Sequence, residues 1–295
     1  MNRDKKYIGG IVALFLAAFA WGSAYTVMKS NLEIFPAMWL LGIRFAIAGA
    51  LMAVICLPKW KELDRQTVCH GVWMGMLLYM EFFFFTVGIQ YTTASRSAFV
   101  VAAYIIFVPG AYWLVFRKRP GKLDVAASVT CLLGAAIILL DSAGGGINKG
   151  DLLTVGSSLF YAVHVMYGSV YAKEHSPLLL NMLQIGTAGI IGLAAAFLTT
   201  PFPTGVQFAD FGGAIYLAVG STIIPYLLSL VGQRYVRPTT SAVILSFESV
   251  FGCLASVLVL GDRLTPRFVL GAAVVLFSFF VAEGIVPGNF FHKGA

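Results

Sequence analysis

Two carboxylates and one arginine stand deep inside long apolar runs. Glu81 sits in Met80-Glu81-Phe82-Phe83-Phe84-Phe85, Glu248 in Phe247-Glu248-Ser249-Val250, and Arg44 in a run that begins at Ala37. A charge carried into lipid costs about 2.5–3.5 kcal/mol on insertion scales, so each is a candidate for function. A carboxylate ringed by aromatic faces attracts an amine or another cation, and it could also carry a coupling proton. Arg44 could bind a carboxylate or a phosphate, or could cap carbonyls or pair with Glu81. Glu248 shares a helix face with Ser241, Gly252 and Ser256, at spacings of 7, 4 and 4. That stripe reads either as a substrate-facing surface or as a hydrogen-bonding seam to a neighbouring helix. His164 belongs to a stripe of Ser157, Tyr161, His164 and Gly168 and could relay protons or sit satisfied inside. Trp21, Tyr25, Tyr79, Tyr104 and Tyr161 add aromatic surface with polar tips, fit either to cradle a substrate or to anchor at an interface. Pro109 and Pro225 interrupt their helices and free backbone carbonyls.

The elements that must position these residues follow from composition. The 295 residues are 59% hydrophobic and 11% charged, where soluble proteins carry roughly 25% charged residues. A water-soluble enzyme and a nucleic-acid binder are both excluded, since the net charge of +7 lies in short basic clusters between apolar runs. The 4 cysteines form no CxxC pair, and no P-loop, GxGxxG or HExxH pattern occurs. The reading is therefore not an enzyme, with no cofactor and no metal; transport energy must come from a gradient or a partner.

A helix of about 20 apolar residues crosses a bilayer. Ten such runs are present: 8–28, 37–57, 71–89, 97–116, 123–140, 152–172, 178–198, 211–230, 241–260 and 268–286. The expectation is an all-α membrane protein of ten transmembrane helices in the cell membrane. Residues Arg3, Lys5 and Lys6 before an apolar run that reaches Ala18-Phe19-Ala20 could resemble a cleaved signal. The run continues to Met28, which favours a retained span. With the N-terminus inside, 14 of the 20 Lys and Arg residues fall on the inner side, which places both termini in the cytoplasm.

The two halves echo one another. Gly88, Tyr91, Ser97 and Ala98 recur 144 residues later as Gly232, Tyr235, Ser241 and Ala242; Trp21 precedes Tyr161 by 140 and Pro36 precedes Pro177 by 141. Residues 1–145 and 146–295 are thus read as two five-helix repeats. Because five is odd, the second enters the membrane from the opposite side, an inverted-topology repeat.

The Trp21-Gly22-Ser23 run, Arg44, the Tyr-x5-Ser-Ala entries to spans four and nine, and Phe247-Glu248-Ser249-Val250-Phe251 with Leu260-Gly261-Asp262-Arg263-Leu264-Thr265 resemble the drug/metabolite transporter superfamily, nearest its ten-span EamA-type members. Two positions depart from that pattern: Ser249 stands where members usually have Pro, and Arg117-Lys118-Arg119 where they usually have an acidic residue. The resemblance implies export or exchange of small metabolites by alternating access, through a cavity lined by spans one, three, four, six, eight and nine, with spans five and ten peripheral. The expected partners are a small-molecule substrate, membrane lipids and protons as a candidate coupling ion; no motif specifies an oligomer. Amino acids are the leading substrate class, choline-like or polyamine cations the alternative, and a lipid-carrier flippase a further one.

Overall fold

The computed structural model describes residues 3–22, 24–92, 97, 100–139, 148–252, 254 and 265–284. Every regular element among them is helical. Span one comprises Arg3–Gly22 and Ala24–Ile34, span two Ala37–Cys56, span three Arg65–Gly88 and span four Tyr104–Phe116. Span five is Lys122–Leu139, span six Lys149–Glu174 and span seven Pro177–Thr199. Span eight joins Phe211–Ala218 to Ile224–Gln233, span nine begins with Pro238–Leu245, and span ten is Pro266–Glu283. Among the described residues, six helical segments are each long and apolar enough to cross a membrane unaided, and the helices together trace ten spans.

Several helices start before their apolar runs because polar caps define the ends. Asp64 Oδ1 accepts from Thr67 N at 2.7 Å and begins span three at Arg65, six residues before its apolar run. Hydrogen bonding from Thr67 holds the Asp64 carboxyl below the usual carboxylate range. At span six, Asn148 and Asp151 form a reciprocal capping box, with bonds of 2.9 and 3.0 Å.

Among the described residues, three spans show a break in helical geometry. Span eight carries a π-helical turn at Val219–Ile223 just before Pro225. Span four turns at Ala103 before continuing from Tyr104, and span nine turns at Ser246 and Phe247 before continuing at Glu248. Positions 103 and 247, and 104 and 248, are again 144 apart, so the two halves break at equivalent places. The turn also takes Ser241 and Glu248 off a common helical register. Ser256, the last member of that stripe, lies outside the described residues, as does 255–264.

The packing shows the inversion. Along spans two and seven, a Cβ on Gly42 would meet Gly192 O at 3.0 Å, while one on Gly189 would meet Phe45 O at 2.8 Å. Residue numbers rise on one helix as they fall on the other, so these equivalent spans run antiparallel. Spans one and eight close at Gly10 and Gly232, spans six and three at Gly150 and Gly88. Those two contacts are the same contact made twice, since Gly10 and Gly150 are 140 apart and Gly88 and Gly232 144 apart. Spans five and ten pair with each other, Gly134 lying against Val275 and Gly271. The molecule is therefore two inverted five-helix units.

With no hydrophobic force between helices in lipid, close backbone approach supplies the attraction. The outer faces carry exposed apolar side chains such as Phe19, Leu114, Ile190 and Leu198, while the core is centred on Trp21, Phe45, Phe82, Tyr104, Tyr161, Tyr226 and Phe247. Gly186→Ala, whose Cβ meets nothing within 4 Å, should keep or raise the melting temperature in detergent. Gly189→Ala, three residues on, should lower it, overpacking typically costing about 1–3 kcal/mol. Equal melting of the two variants would contradict the crossing described.

Candidate functional site

The site is built on a missing hydrogen bond. In an unbroken helix the amide of residue 225 would bond the carbonyl four residues back, that of Ser221. Pro225 has no N–H, so the Ser221 carbonyl is released. In lipid a bare carbonyl costs several kcal/mol and must find a partner. It finds two: Trp21 Nε1 donates at 3.1 Å and Arg44 Nη2 at 2.9 Å. Arg44 Nη2 also donates to Ser221 Oγ at 3.0 Å, and Arg44 Nε donates to Thr222 Oγ1 at 2.7 Å. Thr222 Oγ1 in turn donates to Leu217 O at 2.8 Å, across the π-turn. Arg44 is thus a carbonyl and hydroxyl clamp between spans two and eight, buried to 2% exposure, with its Cζ 4.5 Å from the Phe82 ring centroid.

Beside this clamp lies a cavity of about 70 Å³. Span one lines it with Trp21, Ala24 and Met28, span two with Arg44, span three with Glu81, Phe82 and Phe85, and span four with Val101. Ser157 and Tyr161 come from span six, Leu217, Ser221 and Tyr226 from span eight, and Glu248 from span nine. Among the described residues, spans five and ten contribute no lining side chain, and span two enters through Arg44. Tyr226 OH donates to Glu81 Oε1 at 3.1 Å. Glu81 Oε2 and Tyr161 OH are buried and have no hydrogen-bond partner among the described residues. Glu81 and Arg44 form no ion pair within 4.0 Å; each is held by span eight instead. The rings of Trp21 and Tyr226 meet edge to face at 4.9 Å, and those of Trp21 and Tyr161 at 6.2 Å.

Of the residues singled out in the sequence, Trp21, Arg44, Glu81, Tyr161 and Glu248 converge on this cavity. Tyr104 does not line it. Its OH donates to Ala242 O at 2.9 Å and its ring lies 4.3 Å from that of Tyr161, so it braces the wall from behind. His164 is also set back: Nε2 meets Gln184 Oε1 at 2.8 Å, while Gln184 Nε2 donates to Asn181 and Asn181 Nδ2 to Ile223 O. Because the Gln184 amide donates to Asn181, its oxygen must accept from His164, which places the imidazole proton on Nε2. This chain ties span six to span seven and to the broken part of span eight, while His164 Nδ1 is buried with no hydrogen-bond partner among the described residues. Tyr79 packs in the core near Phe83 and does not reach the cavity. The side chain of Tyr25 lies outside the described residues. Tyr226, Ser221 and Thr222 were not singled out beforehand. Their signal was Pro225, whose released carbonyl belongs to Ser221.

An all-α membrane protein built as two inverted five-helix units around a central pocket has the architecture of a secondary transporter. The model of the EamA-like transporter family matches the chain twice, over residues 8–140 and 148–283. An Archaeoglobus fulgidus protein described as an uncharacterized transporter is 30% identical over 273 residues, 92% of this chain and 85% of that protein. The uncharacterized inner membrane transporter YedA of Escherichia coli K12 is 25% identical, over 90% of this chain and 88% of its own. A solved crystal structure superposes with a TM-score of 0.78 at 16% identity, covering 94% of this chain and 96% of that one, a likeness of fold. The chain belongs to the EamA-like transporter family, and it is a multi-pass membrane transporter.

Arg44→Lys keeps the charge but loses the forked donor geometry. Loss of one hydrogen bond to a charged group costs about 1.5–3 kcal/mol, so the variant should melt below the parent chain. An unchanged melting temperature would show that the Ser221 clamp contributes nothing to holding span eight.

Proposed function

We propose that the chain is a secondary exporter of small amine-bearing metabolites, amino acids foremost, working by alternating access about the central pocket. The observation that carries this reading is Glu81 Oε2, a buried carboxylate oxygen with no hydrogen-bond partner among the described residues, in a pocket walled by Trp21, Tyr161, Tyr226 and Phe82. An ammonium group supplies what that oxygen lacks: up to three donors and a compensating charge, with aromatic faces around it. An amino acid would add a carboxylate. Arg44 spends Nε and Nη2 on span eight, leaving Nη1 without a hydrogen bond among the described residues.

The size of the pocket supports a small solute. An apolar cavity of about 150 Å³ holds benzene, against about 70 Å³ here, so larger metabolites require a wider state of the same pocket. The two halves supply one, because inverted units can exchange conformations and expose the site to either side in turn. The basic clusters support a cytoplasmic position for both termini. Protons remain the candidate coupling ion, with Glu81 and Glu248 as the groups to carry them.

The test is counterflow of labelled small amino acids in liposomes holding the purified chain. Glu81→Gln should lower the rate about tenfold or more, the worth of one charge-assisted hydrogen bond, while melting like the parent. Deaminated acids of the same size should not compete. Unchanged counterflow in Glu81→Gln at every pH removes Glu81 from the mechanism. A quaternary ammonium compound has no N–H for Oε2, so strong competition by it would favour an organic-cation transporter instead.

A further inference from the structure

Away from the pocket, three potential metal ligands meet at the end of the helix pair formed by spans three and six. His70 lies one turn into span three; Glu174 ends span six and His175 follows it. One ligand atom from each, an imidazole nitrogen from either histidine and a carboxylate oxygen from Glu174, all lie within 4.8 Å of one another. His70 Nδ1 and His175 Nε2 face each other at 2.8 Å, a distance at which a single shared proton holds two lone pairs together. The other ring nitrogen of His175 is fixed by Thr67 Oγ1 at 2.8 Å, and Thr67 N is fixed by Asp64 Oδ1. The His70 ring is stacked on Tyr171 with centroids 3.8 Å apart and planes 7° apart.

We propose that His70, Glu174 and His175 form a binding site for a divalent transition metal, Zn²⁺ foremost, that ties the adjoining ends of spans three and six together. Two imidazoles and one carboxylate, completed by a water, are a donor set suited to zinc and its neighbours copper and nickel. Zn–N bonds of about 2.0–2.1 Å at a tetrahedral angle set the two nitrogens near 3.3 Å apart. The histidines therefore open by about half an ångström as the metal takes the place of the shared proton, which passes to His70 Nε2 so that both rings stay neutral. His175 then keeps its remaining proton on Nδ1 and donates it to Thr67, the outer hydrogen bond that orients metal-bound histidines. Both histidines and Glu174 are reachable from outside the helix pair, none of the three being buried.

The position gives the site a consequence. Spans three and six run antiparallel and supply Glu81, Phe82, Phe85, Ser157 and Tyr161 to the pocket. His70 is 11 residues from Glu81, about 16 Å along the helix. A metal here fastens two pocket-forming spans at one end, so it slows any motion that parts them.

The experiment uses tag-free, detergent-solubilised full-length chain with ZnCl₂ or CoCl₂ alone as the probe. Zn²⁺ should raise the melting temperature, EDTA should reverse the rise, and Co²⁺ should give the intense visible absorption of a four-coordinate site. His70→Ala and His175→Gln should each weaken Zn²⁺ binding by about 10–100-fold or more. No Zn²⁺-dependent rise and no Co²⁺ band in the parent chain would overturn the site, as would an undiminished response in a folded His70→Ala chain. If neither variant folds, the Co²⁺ band of the parent decides alone. None of these readings depends on which solute is transported, so failure here leaves the amine reading standing, and the reverse.

Discussion

A single backbone oxygen, that of Ser221, organises the centre of this transporter. Lipid offers it no water, and Pro225 denies it the amide that an ordinary helix would provide. Trp21 and Arg44 are drawn to it from spans one and two. That commitment of Arg44 has a second effect. The Arg44 guanidinium is turned toward span eight, so among the described residues Glu81 has a single tyrosine donor and one oxygen without a partner. The carbonyl that Pro225 releases thus engages an arginine of another helix, on the same pocket wall as Glu81.

The scaffold is symmetric and the chemistry is not. Gly10 with Gly232 and Gly150 with Gly88 make the same helix crossing twice, and spans four and nine turn at equivalent residues. Yet Glu81 corresponds to Pro225, Tyr104 to Glu248 and Trp21 to Tyr161. In the first of these pairs one member perturbs the backbone and the other carries the charge. In the second, Glu248 faces the cavity while Tyr104 braces a wall. The residues that diverged between the duplicated halves build one site rather than two.

Much of this was legible in the sequence. Ten apolar runs, an odd number per half and fixed offsets gave the inverted fold, because lipid permits few ways to bury a helix. Trp21, Arg44, Glu81, Tyr161 and Glu248 were found because a polar group in an apolar run is conspicuous. What sequence could not supply was depth. Tyr104 and His164 share helix faces with true lining residues, but a turn at Ala103 and the Gln184–Asn181 chain set them one layer back. Tyr226 was missed because a tyrosine in an apolar run is unremarkable until its partner Glu81 is known. The His70, Glu174 and His175 cluster spans more than a hundred residues and appears only when spans three and six pair.

The central claim is that the pocket is completed by an amine at Glu81. The most direct measurement is the melting temperature of the solubilised chain across matched pairs of small solutes, each amine or amino acid beside its deaminated counterpart. The account predicts stabilisation by the amine-bearing member of each pair and none by the other. Stabilisation by the deaminated acids or by neutral sugars, with none from the amines, would contradict it.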